Sequence, residues 1–351
     1  MTINEILEFA TKKKASDIHL VVGIPPILRI DKDLFFLDHE PLNPEDTAEM
    51  MFSIMTDRQK DLFKEKMEHD FSYGIKGMAR FRVNVFYQRG SIAAAFRRIP
   101  FEIPSLDSLG VPNVAHKVIE EERGLILVTG PTGQGKSTTL ASMIDEINTK
   151  KSKHIVTIED PIEYLFRHKK SVVVQRELGG DTLSFPNALR AALREDPDVI
   201  LVGEMRDLET IATALTAAET GHLVLATLHT SSSAQSVDRI VDVFPPYQQE
   251  QVKTQLAGVL LAIFSQQLIR KSNGEGLVLA SEVLIANPAV RNLIREGKSF
   301  QIPSIIQTNT AAGMQTMELS LKNLVLKGAI SYDDGLRYAF NKDGFIQLMG
   351  R

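Results

Sequence analysis

Between residues 124 and 147 the chain reads strand, glycine-rich loop, helix, and this arrangement constrains everything built around it. The run Gly124-Leu-Ile-Leu-Val-Thr129 is apolar and β-branched, as a buried parallel strand is. Thr138-Thr-Leu-Ala-Ser-Met-Ile-Asp-Glu-Ile147 spaces its apolar residues by three and four, as a packed helix does. Between them stands Gly130-Pro-Thr-Gly-Gln-Gly-Lys-Ser137. Glycines at 130, 133 and 135 let backbone N–H groups turn inward around phosphate oxygens, and the helix N-terminus adds positive potential. Lys136 is predicted to reach the β- and γ-phosphates and the Ser137 hydroxyl to ligate Mg²⁺. The predicted nucleotide contacts are Gly130, Pro131, Thr132, Gly133, Gln134, Gly135, Lys136, Ser137 and Thr138. A plain glycine turn would not require strand, loop, Lys-Ser and helix to agree.

The chain has 351 residues, room for two or three domains. With 43% hydrophobic and 24% charged residues it has the composition of a soluble globular protein. A net charge of −4 gives no global footprint for nucleic acid, and no nucleic-acid partner is expected. The absence of cysteine removes disulfides and Cys-ligated zinc and fits a reducing cytoplasm. Met1-Thr-Ile-Asn-Glu-Ile-Leu-Glu-Phe9 reads as an acidic amphipathic helix rather than a signal peptide. No apolar run approaches the length of a membrane span. The expected location is the cytoplasm.

Residues 1–98 read as an α+β module: a helix over about Ile3–Lys14, strands at Asp17–Val22 and Pro26–Ile30, a turn at Asp31-Lys32-Asp33, and a polar helical stretch from Pro44 to about Lys66. Arg80-Phe-Arg-Val-Asn-Val-Phe-Tyr-Gln88 alternates with period two, and Ser91–Ile99 pairs with it across an Arg89-Gly90 turn. Residues 99–113 hold Pro100, Pro104, Gly110 and Pro112 and read as a linker. Strands at Leu125–Thr129, Ile155–Ile158, Val199–Gly203 and Leu223–Thr227 then alternate with helical sequence, which predicts a mostly parallel sheet with helices on both faces. From Gln248 the pattern reads as helical: Gln248–Gln266, Pro288–Glu296, Met317–Lys327 and Ser331–Tyr338.

The strand ends carry the candidate chemistry. Asp198-Val-Ile-Leu-Val-Gly-Glu204 ends in a carboxylate suited to the Mg²⁺ of a nucleotide, often through water, although it follows a glycine rather than closing the strand. Ile155-Val-Thr-Ile-Glu-Asp-Pro-Ile-Glu163 supplies three carboxylates, and one should orient and deprotonate the attacking water. Glu163 is the first choice and Glu159 the second; the residues alone do not separate them. His222 and His229 bracket a strand and lie roughly 23 Å apart at about 3.3 Å per residue, too far to share a metal. His229 is therefore read as a γ-phosphate sensor, and His222 as a candidate for a subunit contact. Arginines recur at Arg80, Arg82, Arg97, Arg98, Arg176, Arg190, Arg194, Arg206 and Arg239, any of which could answer phosphoryl charge across a subunit boundary.

The chain resembles the type IV pilus retraction ATPases, the PilT family of secretion-superfamily motors, nearly end to end. Ala15-Ser-Asp-Ile-His-Leu20 and Arg80-Phe-Arg-Val-Asn84 are similar to its N-terminal PAS-like domain, and Ile158–Tyr164 to its Asp box. Val199–Arg206 is similar to its Walker B segment, and Thr220-Gly-His222 with Leu228-His229-Thr-Ser to its His box. Ala289, Val290, Arg291, Asn292, Leu293, Ile294, Arg295 and Glu296 resemble the C-terminal retraction motif, with Gly313-Met-Gln-Thr-Met317 beyond it. Gln134 stands where serine is common and Val290 where isoleucine is usual.

The resemblance implies an α/β fold: a PAS-like α+β domain over 1–98, a linker over 99–113, a RecA-like P-loop ATPase core over 114–285 and a C-terminal helical region over 286–351. It implies Glu163 as general base, Glu204 as Walker B acid, His229 as sensor, and Arg80, Arg82, Arg97 and Arg239 as arginine fingers or interface ligands. ATP and Mg²⁺ become the expected substrate and ion. A homohexamer becomes the expected assembly, and an inner-membrane pilus platform protein and related pilus ATPases the expected partners. The expected place is the inner face of the cytoplasmic membrane. Four other readings are weaker. A pilus-assembly or type II secretion ATPase would usually bring a four-cysteine zinc site. A nucleic-acid translocase sits badly with the acidic balance, a non-catalytic scaffold with the intact Lys136, Ser137, Glu163 and Glu204 set, and a small-molecule kinase with the arginine-bearing leading module.

Overall fold

The computed structural model describes residues 1–30, 33–76, 78–99 and 102–350. The chain divides into two compact units, Met1–Glu102 with Pro161–Leu165, and Ile103–Asp160 with Phe166–Arg351. Among the described residues the architecture is α/β, with one antiparallel and one mixed sheet.

In the first unit, strands β1 (Asp17–Leu20), β2 (Ile27–Ile30), β3 (Asp33–Phe36), β4 (Glu68–Ile75), β5 (Ala79–Gln88) and β6 (Ser91–Ile99) form an antiparallel sheet in the order β3-β2-β1-β6-β5-β4. Of the turn read at Asp31–Asp33, only Asp33 lies within the described residues, as does the linker apart from Pro100 and Phe101. The period-two pattern of β5 turns Phe81, Val83 and Val85 into a core shared with Ile6, Leu7 and Phe96. Gln88 pairs with Ser91, and Arg89 (φ 51°) and Gly90 (φ 80°) make the left-handed two-residue turn that matches strand twist. The first helix ends at Lys12, because Lys14 adopts φ 57°.

The stretch read as one helix from Pro44 to Lys66 is two, Pro44–Ile54 and Asp57–Lys66. Thr56 caps the second by accepting from Gln59 N, while the Gln59 side chain returns to Thr56 N. This reciprocal box starts a new helix wherever Thr-x-x-Gln meets an extended residue.

In the second unit, β7 (Gly124–Thr129), β8 (His154–Glu159), β9 (Val172–Glu177), β10 (Val199–Val202), β11 (Leu223–Leu228), β12 (Leu260–Arg270) and β13 (Leu277–Ile285) run in the order β13-β12-β7-β11-β10-β8-β9. All pairs are parallel except β12 with β13. Helices cover both faces: Phe185–Ala192, Leu208–Glu219, Ser233–Asp242 and Pro246–Val259 on one, Lys136–Lys150 on the other.

The helix expected over Gln248–Gln266 stops at Val259 and becomes β12, which pairs in parallel with β7. An apolar run such as Leu260-Leu-Ala-Ile-Phe suits a buried helix or a buried strand equally, and only the pairing decides. Strands β9 and β13 were not read from the sequence, and no helix separates β9 from β8.

Within the stretch read as a linker, Leu106 and Val111 are buried, and Ser142 of the helix Lys136–Lys150 donates to Pro104 O at 2.6 Å. The attachment is strengthened by His116, 2.7 Å from Glu146 and 3.1 Å from Asp107. The Glu146 hydrogen bond raises the His116 pKa above its ordinary value against a small cost of burial, with Asp107 adding to the rise. Burial pushes Glu146 up, but Lys150 and His116 outweigh it and hold Glu146 below the usual range.

Stability from His116 is thus complete below the ordinary histidine pKa and is lost as pH rises through the raised value. Stability from Glu146 is present above the ordinary carboxylate pKa and is lost as pH falls through the lowered one. Thermal unfolding against pH should therefore show a loss of about 0.5–1 kcal/mol as pH rises above the ordinary histidine pKa, the upper range of ion pairs open to solvent. His116→Gln should abolish that step; an unchanged pH profile in the variant would remove the cluster from the account.

Candidate active site

The loop after β7 is held open by its glycines. Gly130 has φ 144°, and a Cβ there would lie 2.6 Å from Gln266 O of β12, so no other residue fits. Gly133 has φ 79° with nothing within 4 Å of a built Cβ, and Gly135 (φ 77°) is the N-cap of the helix Lys136–Lys150. The loop is tied from behind: Gln134 Oε1 accepts from Leu268 N, and Gln266 Nε2 donates to Thr139 Oγ1 at 2.8 Å. Lys136 is buried, its Nζ donating to Gly130 O at 2.8 Å and Pro131 O at 2.9 Å. A cation held over a concave run of left-handed glycines at a helix N-terminus fits a polyphosphate.

The parallel sheet delivers the acidic strand ends beside this loop. Gly203 follows β10, and a Cβ there would sit 3.1 Å from Ile158 O and 3.3 Å from Glu159 Cα. Glycine before the acid therefore lets the ends of β10 and β8 approach closely. Glu204, 19% exposed, lies 2.6 Å from Arg206 Nε and 3.1 Å from His229 Nε2. Burial pushes its carboxyl up, but the Arg206 hydrogen bond and the His229 ring outweigh this and hold it below the usual carboxylate range. His229 Nδ1 stands 3.4 Å from the Thr132 hydroxyl. With its proton on Nε2, the ring donates to Glu204 and accepts from Thr132, joining β11, β10 and the phosphate loop.

The other candidates do not join this contact. Glu159 accepts from Thr157 Oγ1 at 2.6 Å and Gln175 Nε2 at 3.2 Å. Glu163 is exposed and belongs to Pro161–Leu165, which groups with the first unit. His222 sits at the opposite end of β11 from His229, its Nδ1 2.9 Å from Ala217 O. Arg239 is exposed on the helix Ser233–Asp242. Arg176 and Arg190 pair with Glu195 and Glu209.

In the first unit, register aligns Arg82, Arg97, Asp17 and Arg29 in one cross-strand row. Arg97 Nε lies 2.9 Å from Asp17, and Arg82 3.8 Å from Asp70. Strand register, not residue type, brings Asp17 and Arg29 beside the arginine candidates.

The sequence model of the family described as type II/IV secretion system protein matches residues 1–290. The type IV pilus retraction ATPase PilT of Pseudomonas aeruginosa is 51% identical over 345 residues, 98% of this chain and 100% of that protein. The chain belongs to this secretion ATPase family, in its PilT branch. A twitching motility protein of Neisseria gonorrhoeae is 52% identical over 318 residues, 91% of this chain and 85% of that protein. The crystal structure of the pilus retraction motor PilT with bound ADP superposes with a TM-score of 0.92 at 53% identity, covering 99% of each chain.

The family match stops inside the motif Ala289–Glu296. There the helix Pro288–Arg295 buries Val290 and Ile294 and exposes Ala289, Asn292, Arg295 and Glu296. Arg291 turns back to donate to Ala286 O at 3.0 Å, Gly258 O at 2.6 Å and Ala257 O. It thereby caps the last carbonyls of Pro246–Val259, where a cation also meets the negative end of the helix dipole. Among the described residues no helix is long and apolar enough to cross a membrane.

Proposed function

We propose that this protein is an ATP-hydrolysing motor that powers type IV pilus retraction. The observation that carries the reading is the join of Thr132, His229 and Glu204 beside a formed phosphate loop, in a chain aligned end to end with PilT. In the finer reading, the first unit is a PAS-like domain, the second contains a RecA-like core, and a helical region closes the chain.

ATP is the substrate. The backbone of Gly130–Gly135 would wrap its phosphates, with Lys136 leaving the loop carbonyls to answer the β- and γ-phosphate charge. Among the described residues no group of three or more His, Cys, Asp or Glu side chains could hold a metal. A Mg²⁺ ion would therefore be held by phosphate oxygens and Ser137, with Glu204 reaching it through water. When bound, that ion neutralises charge on the transferring phosphoryl group. Glu163 would orient and deprotonate the attacking water, and His229 would report the γ-phosphate to Glu204.

The assembly in this reading is a homohexamer in which Arg80, Arg82 and Arg97 complete a neighbouring protomer's site, with Arg239 and His222 as interface candidates. It would work at the inner face of the cytoplasmic membrane on a pilus platform protein, with related pilus ATPases as further partners, and without nucleic acid.

The test of the shared site is a mixing experiment. Lys136→Ala and Arg82→Ala proteins should each be inactive alone. Mixed one to one, they should recover about a quarter of the parent turnover, because some Lys136-bearing sites then meet an intact Arg82 from the next subunit. No recovery in demonstrably mixed rings would refute the arrangement in trans.

A further inference from the structure

Glu282 lies within β13 and is 6% exposed. A carboxyl in that position is costly unless it is satisfied. Its Oε1 accepts the backbone N–H of Ser233 at 2.7 Å, and Ser233 is the first residue of the helix Ser233–Asp242. The first N–H groups of a helix have no partner within it. Here Ser232 serves Gln235 N, and Glu282 serves Ser233 N.

Register sets Glu282 opposite Ser265, and Ser265 opposite Thr129. The Thr129 hydroxyl donates to Ser265 Oγ at 2.9 Å, and Thr129 and Ser265 are fully buried. A buried polar row therefore crosses three strands, from the residue before the phosphate loop to the start of this helix. Only residues 229–232 separate that start from the end of β11, and the first of them is His229.

We propose that Glu282 is a positioning residue for the ATPase reaction: by holding the Ser233 N–H it sets where His229 stands between Thr132 and Glu204. The proposal rests on the reading of His229 as a γ-phosphate sensor. Glu282 touches none of the reacting atoms, and its effect passes through the short segment that joins β11 to the helix. Burial pushes the Glu282 carboxyl up against the Ser233 hydrogen bonds, with Glu318 adding to the rise; a carboxamide of the same shape keeps the acceptor oxygen that the Ser233 N–H needs.

The test uses steady-state ATPase kinetics on the full chain, with thermal unfolding measured alongside. Glu282→Ala should lower kcat about tenfold with KM for ATP within about twofold, the pattern of a misplaced group rather than a lost binding contact. Glu282→Gln should restore most of the rate. Ser233→Pro offers a second route: proline suits the first position of a helix, and it removes the N–H that Glu282 accepts together with the buried Ser233 hydroxyl. It should reproduce the loss of kcat even if Glu282→Ala fails to fold.

In a His229→Ala background neither change should slow turnover further. A parental kcat in Ser233→Pro, or losses that multiply in the double variants, overturns the positioning role while leaving the sensor reading intact. A parental kcat in His229→Ala alone overturns both.

Discussion

Lys136→Ala should reduce ATP turnover at least about 10²–10³-fold, to the background of the assay, while leaving the protein folded. The cation stands over the loop with both carbonyl contacts made by its Nζ, so its removal takes away charge and leaves the glycine backbone as it is. Alanine preserves helix propensity at the first position of Lys136–Lys150. The loop remains tied by Gln134 to β12 and by the Gly130 N–H to Leu228 O. Thermal unfolding within a few degrees of the parent should therefore accompany the kinetic loss. Lys136→Arg should not rescue it, because a planar guanidinium fork does not fit where one ammonium meets two loop carbonyls. Turnover within tenfold of the parent in Lys136→Ala would place the phosphates elsewhere.

Glu163→Gln should slow hydrolysis by about 10²–10⁴-fold, the range for loss of a general base, with ATP affinity within a few-fold of the parent. Glu159 provides the comparison that gives this result meaning. Its carboxylate is already accepting from Thr157 and Gln175 at the end of β8, and it sits where Gly203 lets β10 approach. Those bonds fit a group that shapes the strand end. Glu163 is exposed, on the short segment that leaves the sheet and groups with the first unit. Glu159→Gln should therefore cost less in kcat than Glu163→Gln and more in thermal stability. Single-turnover hydrolysis with pre-bound ATP measures the chemical step directly. Equal rates for Glu163→Gln and the parent would remove Glu163 from the role, and a larger loss in Glu159→Gln would transfer it.

What could be read in advance was local. The phosphate loop, the period-two β5 and the Arg89-Gly90 hairpin are decided by residues within a few positions of one another. The same locality explains the errors. Thr56 and Gln59 broke a helix that bulk polarity had joined. Leu260–Arg270 became a strand because β7 lay ready to pair with it.

At the site, sequence could nominate Glu204 and His229 but not their mutual contact, or the part Arg291 plays in capping a neighbouring helix. Those facts depend on strand order, and strand order is a choice among distant pairings that no window of adjacent residues encodes.

The sequence by itself determined the strand, glycine loop and helix over 124–147: the glycines at 130, 133 and 135 ahead of Lys136 make the pattern of a phosphate cradle, and the strand and helix beside them are dictated by hydrophobic period. Only the tertiary structure decided which side chains stand around the cradle. The parallel order β7-β11-β10-β8 brings Thr132, His229, Glu204 and Glu159 to the same strand ends, and β12 with β13 sets a buried polar row behind them. Backbone pairing across a sheet fixes which residues stand opposite one another whatever their separation in sequence, and that long-range register is what turns scattered polar residues into a site.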